Sequence, residues 1–453
     1  MIMYSYLNNL MQFFKSHFLY FMLVILCRIC FDAVYERIIF PIYGATYKYV
    51  YCPTIETIIL SWILLVVFML PTCKFYYSEK GVSNVVLLLL FLVSIVPFTT
   101  LVRNGQFEYS YVLANTFYFA LMYFMTWVFR KKIEMKKVSI QSRLTAGMKI
   151  QLLTLLMAIT ALYVCGRYSH FRVNFSIDQV YDLRSEAGTY NLPTILNYMF
   201  RWATWVIPFL IGYYLRKKKY LYVALLFILQ IFMFGYDGMK GPFFFAVVIV
   251  LANLFLPKIK MSSLNACFLY GFSGISVFSY AVYVILGNYA FAQSLLNRLG
   301  LIPNIISYAY FKFYTQYQPD YFRTSFLRYF GFKSPYSNIS YMICEWFFGY
   351  SQGANDGLIA DAVTNLGIVG IFVMPVAVAF VLRIVDMYTE NFDERMAVCV
   401  ALYLTLMLMS MFLLPILLTG GLFVILFLLN WISKENNEAV ANGLVEVNDE
   451  NIV

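Results

Sequence analysis

This sequence is short of charge. Only 12% of its residues are Asp, Glu, Lys or Arg, where soluble domains carry roughly 25%. With 62% of residues hydrophobic, there is too little polar surface to cover a body in water, so a soluble globular domain is excluded. Histidine is nearly missing, with His17 and His170 alone, which argues against a histidine-built metal centre. No nucleotide- or ATP-binding glycine motif occurs, and nothing calls for a cofactor. Residues Met1 to Lys15 lack the basic, apolar and small-residue order of a cleaved leader, so the first apolar run is expected to stay as an anchor. Internal repeats of the kind that build many secondary transporters are not visible. The ten-residue alternation of a membrane β-barrel is missing too.

What remains is a succession of apolar runs, from Phe18–Phe31 to Ile416–Trp431, each near the length that a hydrocarbon core of about 30 Å demands of a helix. The expected fold is all-α: a polytopic membrane helical bundle of about 11–12 transmembrane helices. The uncertainty of one comes from Pro415, which alone separates the last two runs. The net charge of +10 is not a nucleic-acid footprint, because the excess sits in short loops beside the spans. Arg130, Lys131, Lys132, Lys136, Lys137, Arg143 and Lys149 face only Glu134 in one loop. Arg216 to Lys219 fill a second loop, and Lys258 and Lys260 mark a third. These loops lie two spans apart, so one side of the membrane collects them, and the positive-inside rule makes that side cytoplasmic.

This orientation predicts one integral membrane domain over residues 1–433, with outer loops at about 167–193 and 287–357. Residues 434–453, polar and acidic, read as a disordered cytoplasmic tail. Six cysteines fall inside predicted spans. Cys52 and Cys344 fall in outer loops, but nothing in the sequence brings them together. Arg28 and Asp32, four apart in the first span, are spaced to pair and read as structural.

Four outer segments carry chemistry. The first loop holds Arg167, His170, Arg172, Asp178, Asp182, Arg184 and Glu186. Arginine grips phosphate with a planar fork, and a neighbouring carboxylate orients or deprotonates a hydroxyl. The same residues also fit an interfacial loop of paired charges. The large loop sets Arg298, Lys312, Arg323, Arg328 and Lys333 among aromatics such as Tyr308, Tyr314, Tyr336 and Trp346. That mixture suits a sugar–phosphate groove and equally suits anchoring at the membrane interface. Leu295, Leu299, Ile302, Ile306, Ala309 and Phe313 recur at helical spacing and suggest a helix lying in that interface, with Pro303 placed to split it.

The third segment is the tight turn Phe234 to Phe243, where three glycines admit a ligand close to the backbone. A following helix N-terminus and Lys240 favour an anion there, with Asp237 as partner of Lys240 or as a base. In the fourth, Asp361 and Asn365 share one helix face at the start of a span, after Asn355 and Asp356. A carboxylate so placed is a candidate functional group or an internal hydrogen-bond partner.

Three stretches resemble the O-antigen polymerases, the Wzy-type polymerases of oligosaccharide repeat units: Asn355-Asp356-Gly357 with Ala360-Asp361-Ala362 and Asn365 to Gly370, Tyr181 to Glu186, and Gly238 to Pro242. The resemblance implies a GT-C-like fold at the bacterial inner membrane. It implies polymerisation of undecaprenyl-diphosphate-linked units into O-antigen or capsular polysaccharide on the periplasmic face. A chain-length regulator and a flippase of the same pathway are the implied partners. Some members carry a paired Arg-x10-Gly pattern, and none of Arg172, Arg184, Arg298, Arg323 and Arg328 has glycine eleven residues on. On this reading Glu186, Asp237 and Asp361 are the catalytic candidates. Arg172, Arg184, Lys240, Arg298, Arg323, Arg328, Asn355 and Asn365 contact substrate. An O-antigen ligase, a polysaccharide flippase or transporter, and a non-catalytic scaffold are the competing readings.

Overall fold

A computed structural model describes residues 17–77, 81–132, 144–173, 180–255, 261–390, 392 and 394–441. Asp178, several loop lysines (Lys136, Lys137, Lys258, Lys260) and the last twelve residues of the expected tail lie outside them. The helices are α1 (Phe18–Tyr47), α2 (Ile55–Tyr76), α3 (Val82–Arg103), α4 (Tyr109–Lys132) and α5 (Ala146–Ser169). Next come α6 (Val180–Thr189), α7 (Thr194–Arg216), α8 (Tyr220–Asp237), α9 (Lys240–Phe255) and α10 (Met261–Leu286). The chain ends with α11 (residues 292–314), α12 (Ile339–Phe348), α13 (Ile359–Thr389), α14 (Glu394–Ser410), α15 (Leu413–Leu417) and α16 (Leu422–Ala441). No strand occurs among the described residues.

Eight of these helices are long and apolar enough to cross a membrane: α1 to α5, α8, α10 and α13. Their outward faces are apolar, with Ile55, Leu113 and Ile285 each more than 70% exposed, as a surface facing lipid rather than water would be. The chain is a multi-pass helical membrane protein. The remaining expected spans are also helical, as α7, α9, α14 and α16, though they are shorter or more polar. α16 runs past Lys434 to Ala441, so the expected tail begins as helix.

Two compact units share the chain. The first comprises residues 1–133, 260–383 and 404–413; the second comprises 134–259, 384–403 and 414–453. In the first unit α3 is buried almost all round, as a helix apolar on every face should be. Arg28 is wholly buried beside it, and a buried guanidinium is tolerable only when its donors are used. Its Nη1 lies 2.5 Å from Asp32, the expected i,i+4 pair, while Nε and Nη2 donate to the Thr99 hydroxyl and carbonyl at 2.9 and 2.8 Å.

α1, α3 and α11 each contain a π turn: Tyr35–Ile39, Phe91–Ile95 and Ala292–Leu301. In each the ordinary helix resumes with proline as its second residue (Pro41, Pro97, Pro303). Proline donates no N–H and crowds the carbonyl four residues back, and the wider turn relieves both. Pro303 therefore does not split α11. The turn also changes which face is buried. Leu296, Leu301 and Ile305 are enclosed, whereas Leu299 of the expected stripe is 44% exposed. α11 packs inside the first unit rather than lying on its surface: a Cβ on Gly300 would meet Pro97 at 2.7 Å. The long loop expected over 287–357 is thus about half helix, in α11, α12 and a short 3₁₀ turn, and Cys52 and Cys344 are free thiols.

Candidate functional site

The second unit gathers the first-loop and turn residues at one end. α5 ends and α7 begins there, and the short crossing from α8 to α9 closes it. The basic turn Arg216 to Lys219 lies at the opposite end of α7 and α8. At the end of α5 the chain reverses through His170 and Phe171, both left-handed at φ 49° and 53°. Such conformations cost non-glycine residues about 1–3 kcal/mol each and concentrate at functional sites. The reversal presses the Arg172 carbonyl onto Gly235 of α8, where a Cβ would sit 1.9 Å from that oxygen. Only glycine fits there.

Around this contact the charges pair specifically. Arg172 Nη1 lies 2.8 Å from Glu186 Oε2, and the Tyr190 hydroxyl donates to the other oxygen at 2.6 Å. These two donors, Tyr190 foremost, hold Glu186 below the usual carboxylate range. Burial and the Glu186 charge push Tyr190 up to about 12. Arg172 Nε and Nη2 are shielded from solvent and have no hydrogen-bond partner among the described residues. Asp237, 5% exposed, receives Arg201 Nη1 at 2.7 Å on Oδ2 and the Met239 amide at 3.0 Å on Oδ1. The expected partner, Lys240, is not the one used. Arg184 lies within electrostatic reach of Asp237, and the Tyr190 and Tyr236 rings, 5.2 Å apart, join the two halves.

Arg172, Arg184, Arg201 and Lys240 thus stand with Glu186 and Asp237 on neighbouring elements. Arg201 was not among the sequence candidates. It sits in the second turn of an expected span, where an ionisable residue is itself a functional signal.

The other candidates belong to the first unit and are used differently. Asp361, 3% exposed, spends Oδ1 on Asn365 Nδ2 and Oδ2 on the Leu413 amide, both at 2.6 Å. Asn365 Oδ1 in turn accepts from the Phe322 amide at 3.0 Å. This network locks the start of α13 to the loop before it and to the chain entering α15. Arg323 donates to the carbonyls of Asp320 and Pro319 in its own loop. Arg298 is exposed on α11, Arg328 lies exposed in a short 3₁₀ turn, and Asn355 is exposed just before α13. Asp356 beside it is buried and hydrogen-bonded by Ser307, and burial pushes its carboxyl up to about 8.

Compared with protein-family models, with curated proteins and with solved structures, the chain matches none.

Proposed function

We propose that the chain is a glycosyltransferase that polymerises lipid-linked oligosaccharide repeat units at the outer face of a bacterial inner membrane. It would have a GT-C-like architecture, as the resemblance to O-antigen polymerases implies. The observation that carries this reading is Arg172, whose one edge is fixed by Glu186 while Nε and Nη2 have no hydrogen-bond partner among the described residues. Buried donors of that kind are normally matched, and a diphosphate is the ligand whose geometry and charge suit a guanidinium fork. Arg184, Arg201 and Lys240 add positive charge, and α9 begins at Lys240, where the helix N-terminus favours an anion.

On this reading an acceptor hydroxyl attacks the anomeric carbon of the growing glycan. The carbon–oxygen bond to the undecaprenyl diphosphate breaks, and the diphosphate leaves with the electron pair. The cations neutralise its developing charge, the largest lever such a site has. Glu186, ionised and solvent-reachable, orients the hydroxyl and takes its proton. An oxocarbenium-like transition state needs only a weak base. Asp237 holds Arg201 in place, and Asp361 holds α13. The site lies opposite the basic turn, in keeping with a periplasmic reaction.

The test is surface glycan from a deletion strain carrying wild type or Arg172→Ala, resolved on a gel. Lipid A core capped by single repeat units in the deletion, with a ladder restored by wild type only, supports a polymerase. Loss of every capped form in the deletion points instead to ligation or transport. A full ladder with Arg172→Ala removes that residue from the mechanism.

A further inference from the structure

Apart from the glycan site, Asp356 of the first unit is a buried carboxyl with no cationic partner among the described residues. The segment carrying it is held rigidly. Ala354 O accepts from the Tyr310 hydroxyl at 3.0 Å, and Gly357 is so tightly threaded that a Cβ would meet Leu408 O at 2.0 Å and Met411 O at 2.6 Å. Leu358 follows at φ 45°, a left-handed conformation unusual for leucine. The carboxyl thus points inward by construction. It lines a cavity of about 10 Å³, roughly the room one water or one small ion needs.

Half of the residues around that cavity are polar, and Phe119, Pro303, Leu358, Ile359 and Met409 make up the rest. Ser307 hydrogen-bonds Asp356. Asn304 spends both amide hydrogens, on Ser94 O at 3.1 Å and Gly300 O at 2.8 Å. Both partners are carbonyls, which fixes the amide's orientation, so what Asn304 has left to offer is its carbonyl oxygen. Asn115 also lines the cavity, is 2% exposed, and its side-chain amide makes no hydrogen bond among the described residues. Ser94 lines the cavity as well. A buried amide without a partner beside a buried carboxylate that lacks a cation is costly unless something occupies the space between them.

We propose that this cavity is a sodium site, with Asp356, Ser307, Asn304 and Asn115 as its oxygen donors. One carboxylate balances one positive charge. A divalent ion would want a second acid, and Asp356 is the one acid in the lining. The small volume favours sodium over potassium. Bound there, the ion ties α4, α11 and the entry to α13 together.

The experiment is thermal unfolding of the purified full-length protein in detergent, at constant ionic strength, with NaCl exchanged for KCl or choline chloride. Wild type is expected to gain several degrees in Tm with sodium, saturably, and little with potassium. Asp356→Asn is expected to fold and to show no sodium dependence. Asn115→Ala is expected to raise the half-saturating sodium concentration about tenfold. Binding of ²²Na⁺ to wild type provides a second readout that does not depend on a variant folding. Equal Tm in all three salts, or an equal gain with potassium, overturns the proposal and leaves an ordered water as the occupant. Neither outcome bears on the glycan reading, which is scored on the ladder.

Discussion

Asp237 takes its counter-charge from Arg201, 36 residues earlier in the chain, and not from Lys240 three residues on. The pair, at 2.7 Å, joins the start of α7 to the end of α8, so the corner of the site depends on two helices keeping their register. Removing Arg201 strands a carboxylate that is 5% exposed. Arg201→Ala is expected to cost about 2 kcal/mol of stability, a charged hydrogen bond's worth, and Asp237→Asn less, because the remaining guanidinium is one-third exposed to water. A double-mutant cycle on unfolding in detergent checks the coupling. Additive losses would mean that the pair contributes nothing.

The close approach of Arg172 to α8 gives a sharper test. Gly235→Ala places a methyl 1.9 Å from the Arg172 carbonyl, and a backbone atom cannot yield as a flexible side chain can. Arg172 must therefore move, with its Glu186 pair. The expected outcome is a protein that still inserts and expresses but no longer makes glycan chains beyond one unit. Gly188→Ala, at a glycine with open space around it, should leave the ladder intact. A normal ladder with Gly235→Ala would show that the contact positions nothing the reaction needs.

How far these features were legible beforehand follows from the kind of interaction each uses. Apolar run length gave the helices, since hydrocarbon thickness acts on every residue alike. Arg28 and Asp32 were readable because i,i+4 spacing guarantees proximity. The Arg201–Asp237 pair was not, because its partners lie on different helices and no local rule links them. The buried face of α11 was misread because the π turn at Ala292–Leu301 shifts the helical phase, and no residue pattern except a following proline announces it. Asp361 is a catalytic candidate because it is a carboxylate inside an apolar segment. Its use on the Leu413 amide rests on a contact 52 residues away in the chain.

That contact makes Asp361 a strut, with a consequence for mutation. Asp361→Ala strands the Leu413 amide and Asn365 together, two buried polar groups at about 1–3 kcal/mol each. Asp361→Asn is no rescue, because both partners are donors and an amide offers only one acceptor. Both variants are expected to lower Tm markedly and to lose activity only in proportion to folded protein. A variant with wild-type Tm and no ladder would return Asp361 to the chemistry.

The buried carboxyl of Asp356 sets a pH dependence whose sign can be worked out. Its folded value, about 8, lies above the unfolded value near 3.9, so the folded state holds the proton more tightly across that interval. Stability from this group is complete below about pH 4 and is lost as pH rises through about 8. In sodium-free buffer the unfolding midpoint should therefore fall between pH 5 and pH 9. The phenols of Tyr111, Tyr118 and Tyr310 face it, but a phenol ordinarily titrates near 10, above that range, and Asp361 is present in wild type and variant alike. Asp356→Asn removes only the one group, so the difference between the two curves isolates it. That difference should shrink when sodium is added, because a bound cation replaces the proton. A wild-type curve parallel to that of Asp356→Asn in sodium-free buffer would mean that the carboxyl ionises freely, against the enclosure seen around it.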